Sequence, residues 1–323
     1  MKKIAGLALA LLVAVAAFWA WRSRPGAGAE GFHEYAMAQP TDIPTTIAVG
    51  RDGSVWFTLD FSDAIGFLRD GKVHRLAKGK ENVEPIGLAV DATGAAWYTD
   101  PPSIVISRIA PSGEIASYPL GTPIARLGRL AVAPDGAVWF AESTSYSITR
   151  LKDGVFKRNV IKSIRGGPYG VAVDAQGTVW GTLQSGNELV RIARDGEMSE
   201  FEIPTHGASP SDVAVDSKGG VWFLEFRANK IGRFQEGKFY EVEVPGSASG
   251  LTGLAIAPDG SVWFGMLREH SLGRLRDGKI TAYPLPRPNA RPYSIAIDAS
   301  GNVWYADITG YVGNLSAARA QSY

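Results

Sequence analysis

Four acidic residues stand three positions after a tryptophan: Asp100 after Trp97, Glu142 after Trp139, Glu225 after Trp222 and Asp307 after Trp304. Carboxylates gathered on one ring suit two kinds of chemistry, holding a divalent cation through oxygen ligands and taking a proton as a general base. Asp307 and Glu225 are the candidates for both roles; the plainer alternative is a set of solvated strand ends, or pairs with nearby arginines. Tyr169 in PYGVAV and Tyr293 in PYSIAI share a second position, where Thr252 stands in LTGLAI. A phenol there offers flat apolar area with a polar tip to a ligand, or plugs a channel. Arg126, Arg268 and Arg291 should lie nearby on the same face and bring forked donors suited to carboxylate or phosphate. The four histidines, His33, His74, His206 and His270, have no metal-ligand spacing, so a histidine-rich zinc site is not expected.

These positions are defined by a repeat. PIGLAVDATGAAWYT, PYGVAVDAQGTVWGT, PSDVAVDSKGGVWFL and PYSIAIDASGNVWYAD are variants of one phrase. Trp56, Trp97, Trp139, Trp180, Trp222, Trp263 and Trp304 fix its period at 41 or 42 residues. Each unit reads as four short strands: an apolar run, an Asp/Gly turn, a VWF-like strand apolar on both faces, an NKIGRF-like strand, a second turn of the RDGK type, and an alternating strand closed by proline. No helical period follows residue 31. Four-strand units of about 40 residues are propeller blades, and seven tryptophans count seven blades, an all-β seven-bladed propeller. The last unit lacks its fourth strand, whereas FHEYAM (32–37) is a fourth strand without a unit. Residues 32–37 are therefore expected to pair beside 311–317 and close the ring without a free sheet edge. Antiparallel alternation then brings the start of each first strand and the end of each second strand to one face, the channel mouth, where Tyr169, Tyr293, Arg126, Arg291, Thr252, Glu225 and Asp307 form the expected ligand site. Residues repeated in every blade read as scaffold. The tryptophans should be buried between blades, and Arg108, Arg150, Arg191, Arg233 and Arg274 should tie one blade to the next.

Composition narrows the function. The 323 residues carry 33 basic and 32 acidic side chains, without long runs of one sign, so a nucleic-acid partner is not expected. There is no cysteine, which excludes disulfides and thiol chemistry. Residues 1–30 form a separate segment and 31–323 one propeller, read as a monomer. MKK precedes 18 apolar residues (4–21) and then RSRPGAGAE. Two readings stand: a secretory signal cleaved after Ala-Gly-Ala (27–29), and an uncleaved anchor just long enough to span the hydrocarbon. Both place the propeller outside the cytoplasm, periplasmic or secreted, with membrane contact through this segment alone and a small-molecule or cell-envelope ligand on the channel face.

The phrases PYGVAVDAQGTVW, NKIGRF and ITAYPLP resemble the virginiamycin B lyase family over nearly everything from about residue 32 onward. That resemblance implies a seven-bladed propeller that opens the lactone of type B streptogramins by elimination with Mg2+. It also implies histidines at the mouths of the last two first strands, a glutamate two residues before the second of them, and a glutamate at the end of the last second strand. In this sequence those positions carry Thr252, Tyr293, Arg291 and Ile308, with Asp307 next to the last. The fold is therefore expected and streptogramin elimination is not. Three readings stand: a lyase-like enzyme using Asp307 and a neighbouring acid around a divalent metal, a non-catalytic binding propeller, and a sugar-lactone hydrolase of the six-bladed gluconolactonase type, against which the seven tryptophan-marked units argue.

Overall fold

The computed structural model describes residues 30–78, 85–163, 166–246 and 248–321. The signal or anchor segment falls, apart from Glu30, outside the described residues; among those described, no helix is long and apolar enough to cross a membrane.

Seven four-stranded antiparallel sheets pack face to face in a ring. Strands are lettered A to D from the channel outward within each blade. The A strands include Ile43–Val49, Leu127–Val132, Pro168–Val173, Pro210–Val215, Leu251–Ile256 and Pro292–Ile297 of blades 1, 3, 4, 5, 6 and 7. Blade 7 is completed by the N-terminal strand Phe32–Ala36, which pairs with Tyr311–Leu315 from Phe32↔Leu315 to Ala36↔Tyr311. The expected closure is therefore present. One element was not expected: the short helix Ala317–Gln321 that follows the last strand.

The Asp/Gly turn does more than reverse the chain. In blade 5, Asp216 Oδ1 accepts the backbone N–H groups of Lys218 and Gly220, and Oδ2 accepts the indole N–H of Trp222 at 2.9 Å. Gly219 supplies the left-handed backbone, at φ 79°. One carboxylate thus fixes the turn and the tryptophan together. Burial works to raise the Asp216 pKa, but these hydrogen bonds and Arg233 outweigh it and hold the carboxyl below its usual range. Asp91 with Trp97 and Asp298 with Trp304 repeat the arrangement.

Four of the five strand C arginines pair with an aspartate of their own blade, where ties between blades were expected; Arg274 also reaches beyond its blade, to the Ala320 carbonyl. Arg108 meets Asp91, Arg150 meets Asp135, Arg233 meets Asp216 and Arg274 meets Asp259, at 2.9–3.3 Å. The register explains it: each arginine lies directly opposite its blade's tryptophan, as in Trp222↔Arg233, and so lands beside the aspartate that holds that indole. Arg233 also sits over the Trp222 ring, 4.9 Å from its centroid, a cation–π contact.

Five of the seven tryptophans are buried, while Trp139 and Trp222 are half-exposed. The difference lies in one position of strand D. Tyr118, Phe201, Tyr283 and Tyr35 pack on the tryptophans of blades 2, 4, 6 and 7, with ring centroids 5.0–6.4 Å apart. Trp56 is covered by Phe67 from strand C instead. The corresponding strand D residue is Asn159 in blade 3 and Val242 in blade 5, opposite Ile148 and Ile231, and neither offers a ring.

Candidate functional site

A bulge shapes the mouth of six of the seven A strands. Between Leu127 and Leu130, for example, the pairing with strand B skips a residue, and blades 1, 4, 5, 6 and 7 do the same. The bulge turns the second and third residues of the strand toward the channel. The backbone N–H it frees is taken up in three blades by a threonine two residues after the tryptophan: Thr46 by Thr58, Gly87 by Thr99 and Gly170 by Thr182, at 2.9–3.1 Å.

The third residues are Thr46, Gly87, Arg129, Gly170, Asp212, Gly253 and Ser294. Two are charged, and they meet. Arg129 of blade 3 reaches across to Asp212 of blade 5 through Nε at 2.7 Å and Nη2 at 3.0 Å. Its remaining Nη1 donates to Thr46 Oγ1 and the Ile86 carbonyl, both at 3.1 Å. One guanidinium therefore ties four blades together at the channel axis. Burial alone would favour its neutral form, but Asp212 and then the Tyr169 and Tyr293 phenols hold the charge firmly. Sequence reasoning passed over both residues because it compared the second position of each strand. The signal was one column further on, where two charges of opposite sign stand among small residues.

Two clefts open at the mouth, with volumes of about 530 Å³ and 330 Å³, the smaller one lined by this pair. Tyr169, Tyr293 and Gln184 line both, so the tyrosines form the partition. Arg126 lies in the larger cleft. Arg291, Thr252 and Arg268 line the smaller one with Arg129 and Asp212. Burial, with the Asp212 charge and the Tyr293 hydroxyl, pushes the Tyr169 phenol well above its ordinary pKa, against the pull of Arg129. Tyr169 is therefore a hydrogen-bonding wall and stays protonated. Thr252 Oγ1 donates to the Pro292 carbonyl at 2.7 Å.

Five of the seven expected residues thus converge at the mouth. Glu225 and Asp307 do not join them. Side chains alternate along a strand, so a residue three after the tryptophan shares the face of the residue one after it, the face packed on the preceding blade. All four ring acids are buried there, and three of them meet basic residues other than the three arginines at the mouth. Asp100 faces Lys78 at 3.7 Å and Glu142 pairs with Arg158 at 3.2 Å. Asp307, fully buried, accepts from Arg287, from the Thr309 hydroxyl and from the Thr309 backbone N–H. Arg287 in turn grips Glu34 of the closing strand at 3.0 Å, and Glu34 accepts from the Tyr305 hydroxyl. Asp307 therefore belongs to the closure of the ring. Glu225 differs: it is fully buried, it forms no ion pair among the described residues, and its neighbour is another carboxyl, Glu241. Burial, and next the charge of Glu241, push its pKa up to about 7, against the pull of Lys230.

The residues present do not fit the Mg2+ that the resemblance implies. That ion needs a near-octahedral oxygen shell with carboxylates free to enter it. Asp307 has spent its oxygens on Arg287 and Thr309, Glu225 is walled off between blades, and Asp212 is gripped by Arg129. Among the described residues, no group of three or more His, Asp or Glu is placed to hold a metal ion.

The profile of the virginiamycin B lyase family matches residues 27–152 and 105–322. The virginiamycin B lyase of Nocardia farcinica (strain IFM 10152) is 32% identical over 166 residues, 51% of this chain and 57% of that relative. The alignment thus spans little more than half of the relative's length. Among solved structures, a streptogramin B lyase superposes with a TM-score of 0.83 at 25% identity, covering 88% of this chain and 96% of that one. The virginiamycin B lyase of Staphylococcus aureus, in a catalytically inactive form with quinupristin, gives the same TM-score at 25% identity, covering 88% and 98%. The profile takes in all seven blades, and the chain belongs to the virginiamycin B lyase family.

Proposed function

We propose that this chain is an exported binding propeller that has the cleft of its family without the elimination chemistry. One observation carries the reading. The positions where the resemblance calls for an imidazole or a carboxylate bear Thr252, Arg291 and Tyr293, and these three line the same 330 Å³ cleft. Elimination needs a base with a free lone pair and a pKa near the working pH. Threonine and arginine offer none, and a phenol titrates near 10. The carboxylate in the cleft, Asp212, has both oxygens committed to Arg129. Asp307 lies outside the cleft, within a buried network.

What remains is a recognition surface. Arg129 and Asp212 cancel in charge, which leaves Arg268 and Arg291 as cations beside two tyrosines. That combination suits a small anionic or amphiphilic molecule of the cell envelope, with the tyrosines packing on its apolar part. The relative with quinupristin supports a small molecule as the ligand class. Export rests on the positive, apolar N-terminus. The test is a thermal-shift survey of anionic envelope metabolites, repeated on Arg291→Ala and Tyr293→Ala. A ligand whose shift disappears in both variants supports the reading, and one whose shift ignores both sinks it.

A further inference from the structure

The face opposite the channel mouth carries a groove between blades 3 and 4, about 510 Å³ in volume. Its floor is Trp139, left half-exposed because Asn159 replaces the aromatic residue that covers four of the other tryptophans. Arg150, Lys157 and Arg194 line it, with Asp135 and Asp195.

The corresponding groove between blades 6 and 7 has an occupant. The helix Ala317–Gln321 lies over Trp263, and Ala320 is buried in the same cluster as Trp263 and Tyr283. Arg274 Nη2 is held by Asp259 at 3.1 Å, and its Nη1 donates to the Ala320 carbonyl at 2.6 Å. Carbonyls at a helix C-terminus have no partner in the helix, and a cation is the natural group to meet them. Blade 3 repeats the receiving half of this arrangement. Arg150 Nη2 is held by Asp135 at 2.9 Å, as Arg274 is by Asp259. Its Nη1 has no partner among the described residues. Lys157 and Arg194, both exposed, add two cations that the blade 6 groove does not have.

We propose that the groove between blades 3 and 4 is a docking site for the C-terminal peptide of a partner protein. The fitting peptide is a turn of small residues ending in a free carboxylate. The small residues pack on the Trp139 indole, as Ala320 does on the Trp263 cluster. Arg150 receives a backbone carbonyl, and Lys157 and Arg194 receive the terminal carboxylate.

The probe is a fluorescein-labelled peptide SAARAQ, the sequence of residues 316–321, with a free C-terminus, titrated with the full chain and followed by anisotropy. The expected result is saturable binding that weakens by about tenfold or more in Asn159→Tyr, which fills the groove with a ring. The melting temperature of that variant should stay level or rise. Lys157→Ala with Arg194→Ala, two exposed positions, should weaken binding without affecting the fold, and so should amidation of the peptide. No saturable binding overturns the proposal. So does binding that ignores both variants, or that is lost only in Arg274→Ala, which would mean exchange with the chain's own helix.

Discussion

Arg129 and Asp212, 83 residues apart in sequence, form a two-pronged ion pair across the channel, at 2.7 and 3.0 Å. Their side chains are only 12% and 13% exposed. The pair lines the smaller cleft, and it takes the one carboxylate there out of reach of a substrate proton or a metal.

Removing one partner should therefore be costly. Asp212→Ala leaves a buried guanidinium without its counter-charge and should destabilise the fold by about 3–5 kcal/mol. Replacing both, as Arg129→Met with Asp212→Leu, should recover most of that loss. Urea melts of the two single variants and the double variant measure this. Additive losses would mean that the pair is not coupled.

Glu225 makes a prediction of opposite sign to most carboxylates. Its folded pKa of about 7 lies above the ordinary 4.5. Between those values the folded protein holds a proton that the unfolded chain has released, so this group's contribution falls as pH rises through the window. Glu225→Gln should raise the melting temperature at pH 8 and change it little at pH 4.5. A lower melting temperature at pH 8 would show that the charged form is being used. Asp91, Asp216 and Asp259 act the other way. Their pKa values are depressed, and the stability they supply above the ordinary 3.8 is lost as pH falls through the folded values.

The architecture was readable in the sequence because it repeats. A tryptophan every 41 or 42 residues, one orphan strand and one missing strand determine blade number and closure together. Side-chain direction was harder. Tyr169, Tyr293 and Thr252 reach the mouth as expected, because the bulge turns that position inward, and Arg126 and Arg291 reach it from just before their A strands. Glu225 and Asp307 were assigned to the mouth from their place at a strand end, although alternation from Trp222 and Trp304 turns them toward the preceding blade. The helix Ala317–Gln321 is five residues long, too short to show a period. Arg129 and Asp212 stand out in the third-position column as two opposite charges, but that they bond depends on the ring bringing blades 3 and 5 together.

The tryptophans should not be equivalent. Trp263 is 1% exposed, and its replacement by alanine should cost about 3–5 kcal/mol. Trp139, half-exposed over its groove, should cost clearly less. Denaturant melts of the two variants decide it, and equal losses would contradict the account of Asn159.

Asp307 separates structure from metal chemistry. Asp307→Ala leaves Arg287 short of a counter-charge and should lower stability by about 3–5 kcal/mol. Mg2+ and EDTA should leave the melting temperature of the unaltered chain unchanged. A rise with Mg2+ that disappears in Asp307→Ala would restore this residue as a ligand.

The most direct measurement is turnover itself. The purified chain is incubated with a type B streptogramin and Mg2+, and linearisation is followed by mass spectrometry and chromatography. The account predicts that the lactone stays closed, because Thr252, Arg291 and Tyr293 occupy the positions of the proton-transfer groups. Linearisation that is abolished by EDTA and by Tyr293→Phe would contradict it and make this chain a lyase.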